Sequence, residues 1–456
     1  MRESRIAGSG REAGRRPRGR ACPAGVGVLA ALALGALGAA CGGGDEAARS
    51  LEVRRDTVGD TVVVRNVSGS AWGDTARLAE ELRIGRVEGP ETYTFGRVAG
   101  LAAGPDGSIH VVDRQVPALR KYGPEGRHAA DFGRPGGGPG EIGRTHSGGV
   151  ALLPDGRVAL RDPGNARIQL YRPDGEPAGS LPIRGSFFTS VPLVADTAGR
   201  LWHWTSGRSP SGEDRPNRYL LLDPDGGVVD TVPIPRWGKR PPRLMAERVE
   251  DGRRTMAIAA GVPFWPGDRH SVSPGGFLVG GSTAACRFEL LRPSGRVLRV
   301  VRETGRAPVL PGERRTERRE LEERMRRVES GWSWDGPDVP EVKPCYRDLL
   351  VGRHGRVWLL RHTEAERVEV EADDGGPGPP EREVAWREPV VFDVFAPDGR
   401  YLGAVRPEVR IDRSPPPVIR GDTVWAVTRD ELDVPYVVRL RLVRPGEPRE
   451  EAPAGG

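Results

Sequence analysis

Six aromatic side chains lie in stretches that carry no repeat pattern: Trp237, Phe264, Trp265, Trp332, Trp334 and Trp386. Rings presented from loops can stack on a sugar or clamp a peptide, or they can pin the loops to a scaffold beneath. Asp113, Arg114, Asp162 and Asn165 lie in shorter loops and add polar groups for the same ligand. The candidate binding set is therefore Asp113, Arg114, Asp162, Asn165, Trp237, Trp265, Trp332 and Trp334. Asp113 and Asp162 equally suit the orienting of backbone turns. No catalytic residue is assigned. There is no Gly-x-Ser-x-Gly elbow, and no Cys-x-x-Cys or His-Glu-x-x-His spacing for zinc. The stretch GRPGGGPGEIGR (133–144) lacks the Gly-Lys-Ser/Thr ending of a phosphate cradle. His203 falls on a core-directed strand position and reads as packed.

The elements that must hold these residues announce themselves by repetition. "DRQVPALRKYGPEGR" (113–127) and "DPGNARIQLYRPDGE" (162–176) share one plan, an alternating strand and then a Pro-acid-Gly turn. Proline presets φ, the acid bonds its own backbone, and glycine takes the positive φ of a tight hairpin. Paired turn glycines stand 19 apart in three units, Gly107 to Gly126, Gly156 to Gly175 and Gly276 to Gly295. Behind each first turn, Ile109, Val158, Leu201, Phe277, Val357 and Val424 are equivalent. Val111, Leu160, His203, Val279, Leu359 and Ala426 follow two residues on. Period-2 alternation in register predicts a half-buried strand repeated six times. Units of four antiparallel strands near 98–133, 149–183, 192–232, 270–303, 345–405 and 412–443 predict an all-β, six-bladed β-propeller. The sixth unit is one strand short. The orphan run DTVVVRNVSG (60–69) is expected to supply that strand and close the ring, removing open edges.

These units resemble NHL-type repeats, and residues 60–445 resemble a six-bladed propeller family of exported bacterial proteins and lipoproteins. "DPGNARIQLYRPDGE" and the glycine-rich 133–144 connection carry the likeness. It implies the fold strongly and activity weakly, because this scaffold serves many functions. Propeller lactonases and lyases hold a calcium on the channel axis. Under that alternative Asp113, Asp162, Asn165 and Asp196 are the contributors. They are not equivalent in more than two blades, so the leading expectation has no cofactor.

The start of the chain reads as an address. Arginines stud residues 2–20, 17 apolar residues follow (24–40), and Gly38, Ala39 and Ala40 precede Cys41. This resembles a bacterial lipobox with Gly38 where leucine is usual, and implies cleavage after 40 and acylation of Cys41. Residues 41–59 are expected as a flexible tether and 446–456 as a disordered tail. Gly42 beside the cysteine points to the outer membrane. In that oxidising setting Cys286 and Cys345 form an even pair, either a disulfide or two buried thiols. The first 40 residues carry seven Arg and two Glu, so the remainder of a chain at +6 is nearly neutral. A balanced body of this kind does not read as a nucleic-acid surface.

Topology selects a working face. The short turns join first to second and third to fourth strands. The long segments 133–147, 205–217, 233–268, 302–343 and 361–388 all fall at the opposite ends. Function concentrates on loops held by a rigid scaffold, so this face is expected to bind a protein, peptide or glycan. Within it, 313–330 predicts a helix whose stripe is Leu321, Met325 and Val328. Residues 371–383 predict a disordered loop tip.

Overall fold

The computed structural model describes residues 50–144, 148–207, 216–250, 253–371 and 382–448. The signal segment, Cys41, residues 372–381 of the expected loop tip and residues 449–456 lie outside it.

Antiparallel meanders dominate. Three sheets have four strands each, in chain order: Val98–Ala103, Ile109–Asp113, Ala118–Tyr122, His128–Phe132; Val150–Leu152, Val158–Asp162, Arg167–Tyr171, Pro177–Pro182; and Val194–Ala195, Leu201–Thr205, Arg218–Leu222, Val228–Pro233. A fourth meander, Asp268–Ser273 to Val297–Val301, carries two further strands on its outer edge. A fifth (Tyr346–Val351, Val357–Arg361, Phe392–Phe395, Tyr401–Pro407) and the last three strands (Val418–Arg420, Thr423–Arg429, Pro435–Val443) share one eight-stranded sheet.

The turns behave as their sequences dictate. Asp155 Oδ1 accepts the Arg157 N–H at 3.0 Å, and Gly156, at φ +85°, donates to the Leu153 carbonyl at 3.0 Å. A side chain at Gly156 would be strained at that φ.

Apolar clusters join each meander to the next. Phe132 and Val112 of the first pack with Val158 and Tyr171 of the second, and Leu170 with Leu201 of the third. Trp202 meets Leu278 of the fourth, Phe288 meets Phe395 of the fifth, and Trp358 meets Val424 of the last. Trp425 and Val427 then pack on Ile109 and Val111 of the first, which closes the circle. Sheets arranged face to face around a ring make a β-propeller. The ring explains one departure from expectation. All five residues of Ile109–Asp113 and of Val158–Asp162 are buried, because each sheet has a neighbour on both faces. These second strands are not half-buried.

Ring closure is also corrected. Thr61–Ser68, within the run expected to close it, lies parallel to Val297–Val301 on the outer edge of the fourth meander. The strand that pairs with Pro435–Val443 is Ala76–Ile84, which also touches Tyr401–Pro407 in parallel. Its sequence, ARLAEELRI, has helix-forming residues, but the open edge of the last meander and burial of Ala76, Leu78 and Ile84 override that preference. Nor is the tether flexible as far as residue 59: Glu52–Val58 pairs antiparallel with Thr61–Ser68.

Candidate functional site

The long segments fold into a cap. Arg243–Glu250 and Arg253–Gly261 form a hairpin, Pro311–Arg326 a helix, and Glu366–Glu371 with Arg382–Arg387 a second hairpin. Pro311 starts the helix, where its missing N–H costs nothing. The Glu313 side chain reaches back to the Leu310 N–H at 3.2 Å, and Arg318–Glu322 and Glu322–Arg326 pairs lie at 2.9 Å. The stripe Leu321, Met325 and Val328 is buried against Leu244, Ala246 and Trp332, so the first hairpin covers the helix's apolar face. Trp386 of the second hairpin packs on Gly312.

Beneath the cap runs a chain of buried charges. Lys343 is fully buried, with Nζ 2.7 Å from Glu313 Oε1, 3.0 Å from the Thr363 carbonyl and 3.4 Å from Glu388 Oε1. The ammonium also stands 5.2 Å from the centroid of the Phe264 ring. Glu388 accepts from His362 Nδ1 at 3.0 Å, Arg347 Nη1 at 3.1 Å and the Thr363 N–H at 3.0 Å. Burial opposes ionisation of Glu388, but the His362 hydrogen bond and the His362 and Arg347 charges outweigh it and hold the pKa at about 2. An ionised carboxylate requires Nδ1 to carry a proton, so the network leaves Nε2 as the imidazole nitrogen available to a ligand.

A cavity of about 350 Å³ adjoins this network, lined by Phe264, Trp265, Arg269, Glu317, Arg347 and His362 among others. Burial, and then the neighbouring Glu320, raise the pKa of Glu317. The lining therefore pairs aromatic faces with cations and one carboxyl that resists ionisation, a combination suited to a carboxylate-bearing group. A second cavity, about 220 Å³, follows the ring axis. Its walls are the innermost strands, mostly Ala, Gly, Val, Leu and Pro, with Arg353 and Arg420 among its few charged groups.

Because Glu388 has a lower pKa in the folded chain than in the unfolded one, it contributes stability fully above about pH 4.5. That contribution drains as pH falls toward 2. Urea midpoints at pH 7 and pH 3 should therefore differ less for Glu388→Gln than for the wild type; an equal difference would refute the assignment.

The residues read from sequence scatter. Asp113 is buried and accepts the N–H groups of Gly96, Arg97 and Gln115 at 2.7–3.0 Å. Asp162 is buried under the Gly143 N–H and Asn165 Nδ2, which also donates to the Gly136 carbonyl. Asp196 takes two backbone N–H groups, Arg200 Nε and Trp202 Nε1. These acids hold turns. Arg114 is exposed, its N–H donating to the Arg97 carbonyl. Trp237 Nε1 donates to Glu289 at 3.1 Å, Trp332 Nε1 to the Met245 carbonyl at 2.7 Å, and Trp334 Nε1 to the Gly336 carbonyl at 2.9 Å. All three indole N–H groups are thus engaged within the protein, Trp332 joining the segment after the helix to the first hairpin, and of the eight candidates Trp265 is the one that lines the cap cavity. Cys286 and Cys345 are joined in a disulfide at the base of the 302–343 segment.

Sequence reading missed His362, Glu388, Lys343, Arg269 and Arg347. One signal was available: Lys343 is one of three lysines beside 66 arginines. Among the described residues no group of three or more His, Cys, Asp or Glu side chains converges as a metal site, and no helix is long and apolar enough to cross a membrane.

No family model and no curated protein sequence matches the chain. Solved structures that it resembles include a DUF4221 family member from Bacteroides vulgatus (8% identity, TM-score 0.45), covering 81% of this chain and 98% of that one. Another is a catalytically inactive virginiamycin B lyase from Staphylococcus aureus with quinupristin (10%, 0.36, 79% and 99%). A third is the β-propeller domain of Cps50 (Swd1) from Myceliophthora thermophila (8%, 0.34, 80% and 99%). What those proteins act on stays with them; this chain shares with them a likeness of fold.

Proposed function

We propose that this chain is a six-bladed propeller of NHL type that works as a binding protein at the cell envelope. In this reading it is exported, cleaved before Cys41 and held to the outer membrane by acyl chains on that cysteine. Its partner is a protein, peptide or glycan engaged on the capped face. One observation carries the reading: three separate insertions gather at one end of the ring, around a cavity lined by Trp265, Phe264, Arg269, Arg347 and His362. Among the described residues, the connections within the meanders at the opposite end are short turns. Rigid aromatics beside cations favour a ligand with an acidic group, such as a uronic sugar or a peptide carboxylate.

The calcium-dependent lactonase- or lyase-like alternative has less support, since Asp113, Asp162 and Asp196 are each committed to backbone N–H groups, of Gly96, Gly143 and Arg200 among others. The test is calorimetric titration with acidic and neutral oligosaccharides, and with peptides bearing free or amidated C-termini. Acidic ligands should bind, and Trp265→Ala or Arg269→Ala should each weaken binding by roughly tenfold or more. Equal affinity for neutral and acidic ligands, or variants that bind like the wild type, would remove this cavity from the reading.

A further inference from the structure

The axial cavity lies apart from the cap, and its lining is one-sided in polarity and in charge. Every meander contributes apolar wall, through Leu101, Val150, Leu193, Val272, Leu350 and Ile419 in turn. Pro415, Pro416 and Pro417 add a stretch that has no N–H to offer water. Among the described residues no carboxylate side chain lines the cavity. Its polar side chains are the hydroxyls of Ser190 and Ser271 and the guanidinium groups of Arg353 and Arg420. An apolar space with a few convergent polar groups is the usual form of a small-molecule site.

Both arginines are half-buried and stand where a first strand turns into a second, so they occupy the end of the ring away from the cap. The two turns are stitched together, the Arg353 N–H donating to the Ile419 carbonyl at 2.9 Å, one residue from Arg420. Arg353 Nη1 reaches from the fifth meander to the Ala195 carbonyl of the third, and Arg420 Nη1 from the last meander to the Ala103 carbonyl of the first, both at 3.3 Å. The fifth and third meanders are not neighbours, so the Arg353 side chain spans the mouth of the channel. Arg356 of the same turn pairs with Asp422, but neither Arg353 nor Arg420 has an ion-pair partner among the described residues. The acids nearby are engaged elsewhere, Asp106 with Ser108 and Asp196 with Arg200 and Trp202. Burial, and then the Arg353 charge, lower the pKa of Arg420, as expected of two cations that share one opening.

We propose that the channel binds an amphipathic monocarboxylate, its carboxylate held by Arg353 and Arg420 and its alkyl body laid along the axis toward the cap. A guanidinium that gives one N–H to a carbonyl keeps others for a carboxylate, in charge-assisted bonds. Apolar walls strengthen the field of the two cations at the mouth, and the alkyl body gains by leaving water. A ligand cation is repelled by the same pair. The site shares no residue with the cap cavity, so it stands whatever the cap binds.

The test is calorimetric titration of the wild type with hexanoate and octanoate, and with octanol and octyltrimethylammonium as neutral and cationic counterparts. Octanoate should bind roughly tenfold or more tightly than octanol, and roughly tenfold more tightly than hexanoate for the added methylenes. The ammonium should give no binding. Arg353→Gln and Arg420→Gln should each weaken octanoate by roughly tenfold and leave octanol unchanged. Crystals soaked in ω-bromo-octanoate should show an anomalous bromine peak on the ring axis, among Leu101, Val150 and Leu193. No binding of either acid, equal affinity for acid and alcohol, or glutamine variants that bind octanoate like the wild type would each overturn the proposal. A bromine peak beside Trp265 would overturn it too, by placing the acid in the cap. The acid–alcohol comparison and the bromine map use the wild type alone, so a variant that fails to fold leaves the question decidable.

Discussion

Lys343→Ala should lower the stability of the cap by about 3–5 kcal/mol, the range for breaking a buried ion pair from one side. The lysine is fully buried, and its removal would strand Glu313 and Glu388, which are 3% and 8% exposed, without their shared cation. The network ties the helix (Glu313), the segment after it (Lys343) and the stretch leaving the second hairpin (Glu388) to one another, and Arg347 on Tyr346–Val351 ties Glu388 to the ring. A separate, early transition in calorimetry is therefore expected, with the ring melting near its original temperature. Lys343→Met combined with Glu313→Gln should recover part of the loss, because the Glu313 charge is gone and Glu388 still has His362 and Arg347 as partners. If Lys343→Ala melts like the wild type in one transition, the network is not what fastens the cap.

Reducing the Cys286–Cys345 bond should cost about 4 kcal/mol, the chain-entropy value for a loop closed across 59 residues. The loop contains the entire helix Pro311–Arg326. Its closure limits how far the cap can stray when it opens. Cys286→Ser with Cys345→Ser should thus broaden and advance the same early transition, and hydrogen exchange in 311–326 should accelerate more than in Val158–Asp162. Uniform acceleration through both regions would mean that the bond stabilises the ring as a whole instead.

Turn chemistry and strand alternation are local, which is why the meanders could be read from PDG and PEG spacing. Ring closure is not local. VVVR at 62–65 has the stronger strand preference, yet Ala76–Ile84 fills the gap, because the choice was made by which segment lies beside an unpaired edge. The acids near the loops were visible for the same local reason, and their task also proved local: Asp113 and Asp162 gather backbone N–H groups within about 20 residues. The charge network under the cap joins Glu313, Lys343, Arg347, His362 and Glu388. No period relates those positions, so only the fold brings them together.

The double placement of the N-terminal segment has a mechanical consequence. Glu52–Val58 and Thr61–Ser68 grip the outside of the fourth meander, and only afterwards does the chain reach Ala76–Ile84, the clasp of the ring. A pull applied at residue 50 must first strip those two strands. They act as a strain relief, like the knot where a cable enters a housing. Drag on the leading end is borne first by this outer hairpin, anchored by Val64 in the core and by Asn66 on Gly399 and Tyr401, before it reaches the clasp.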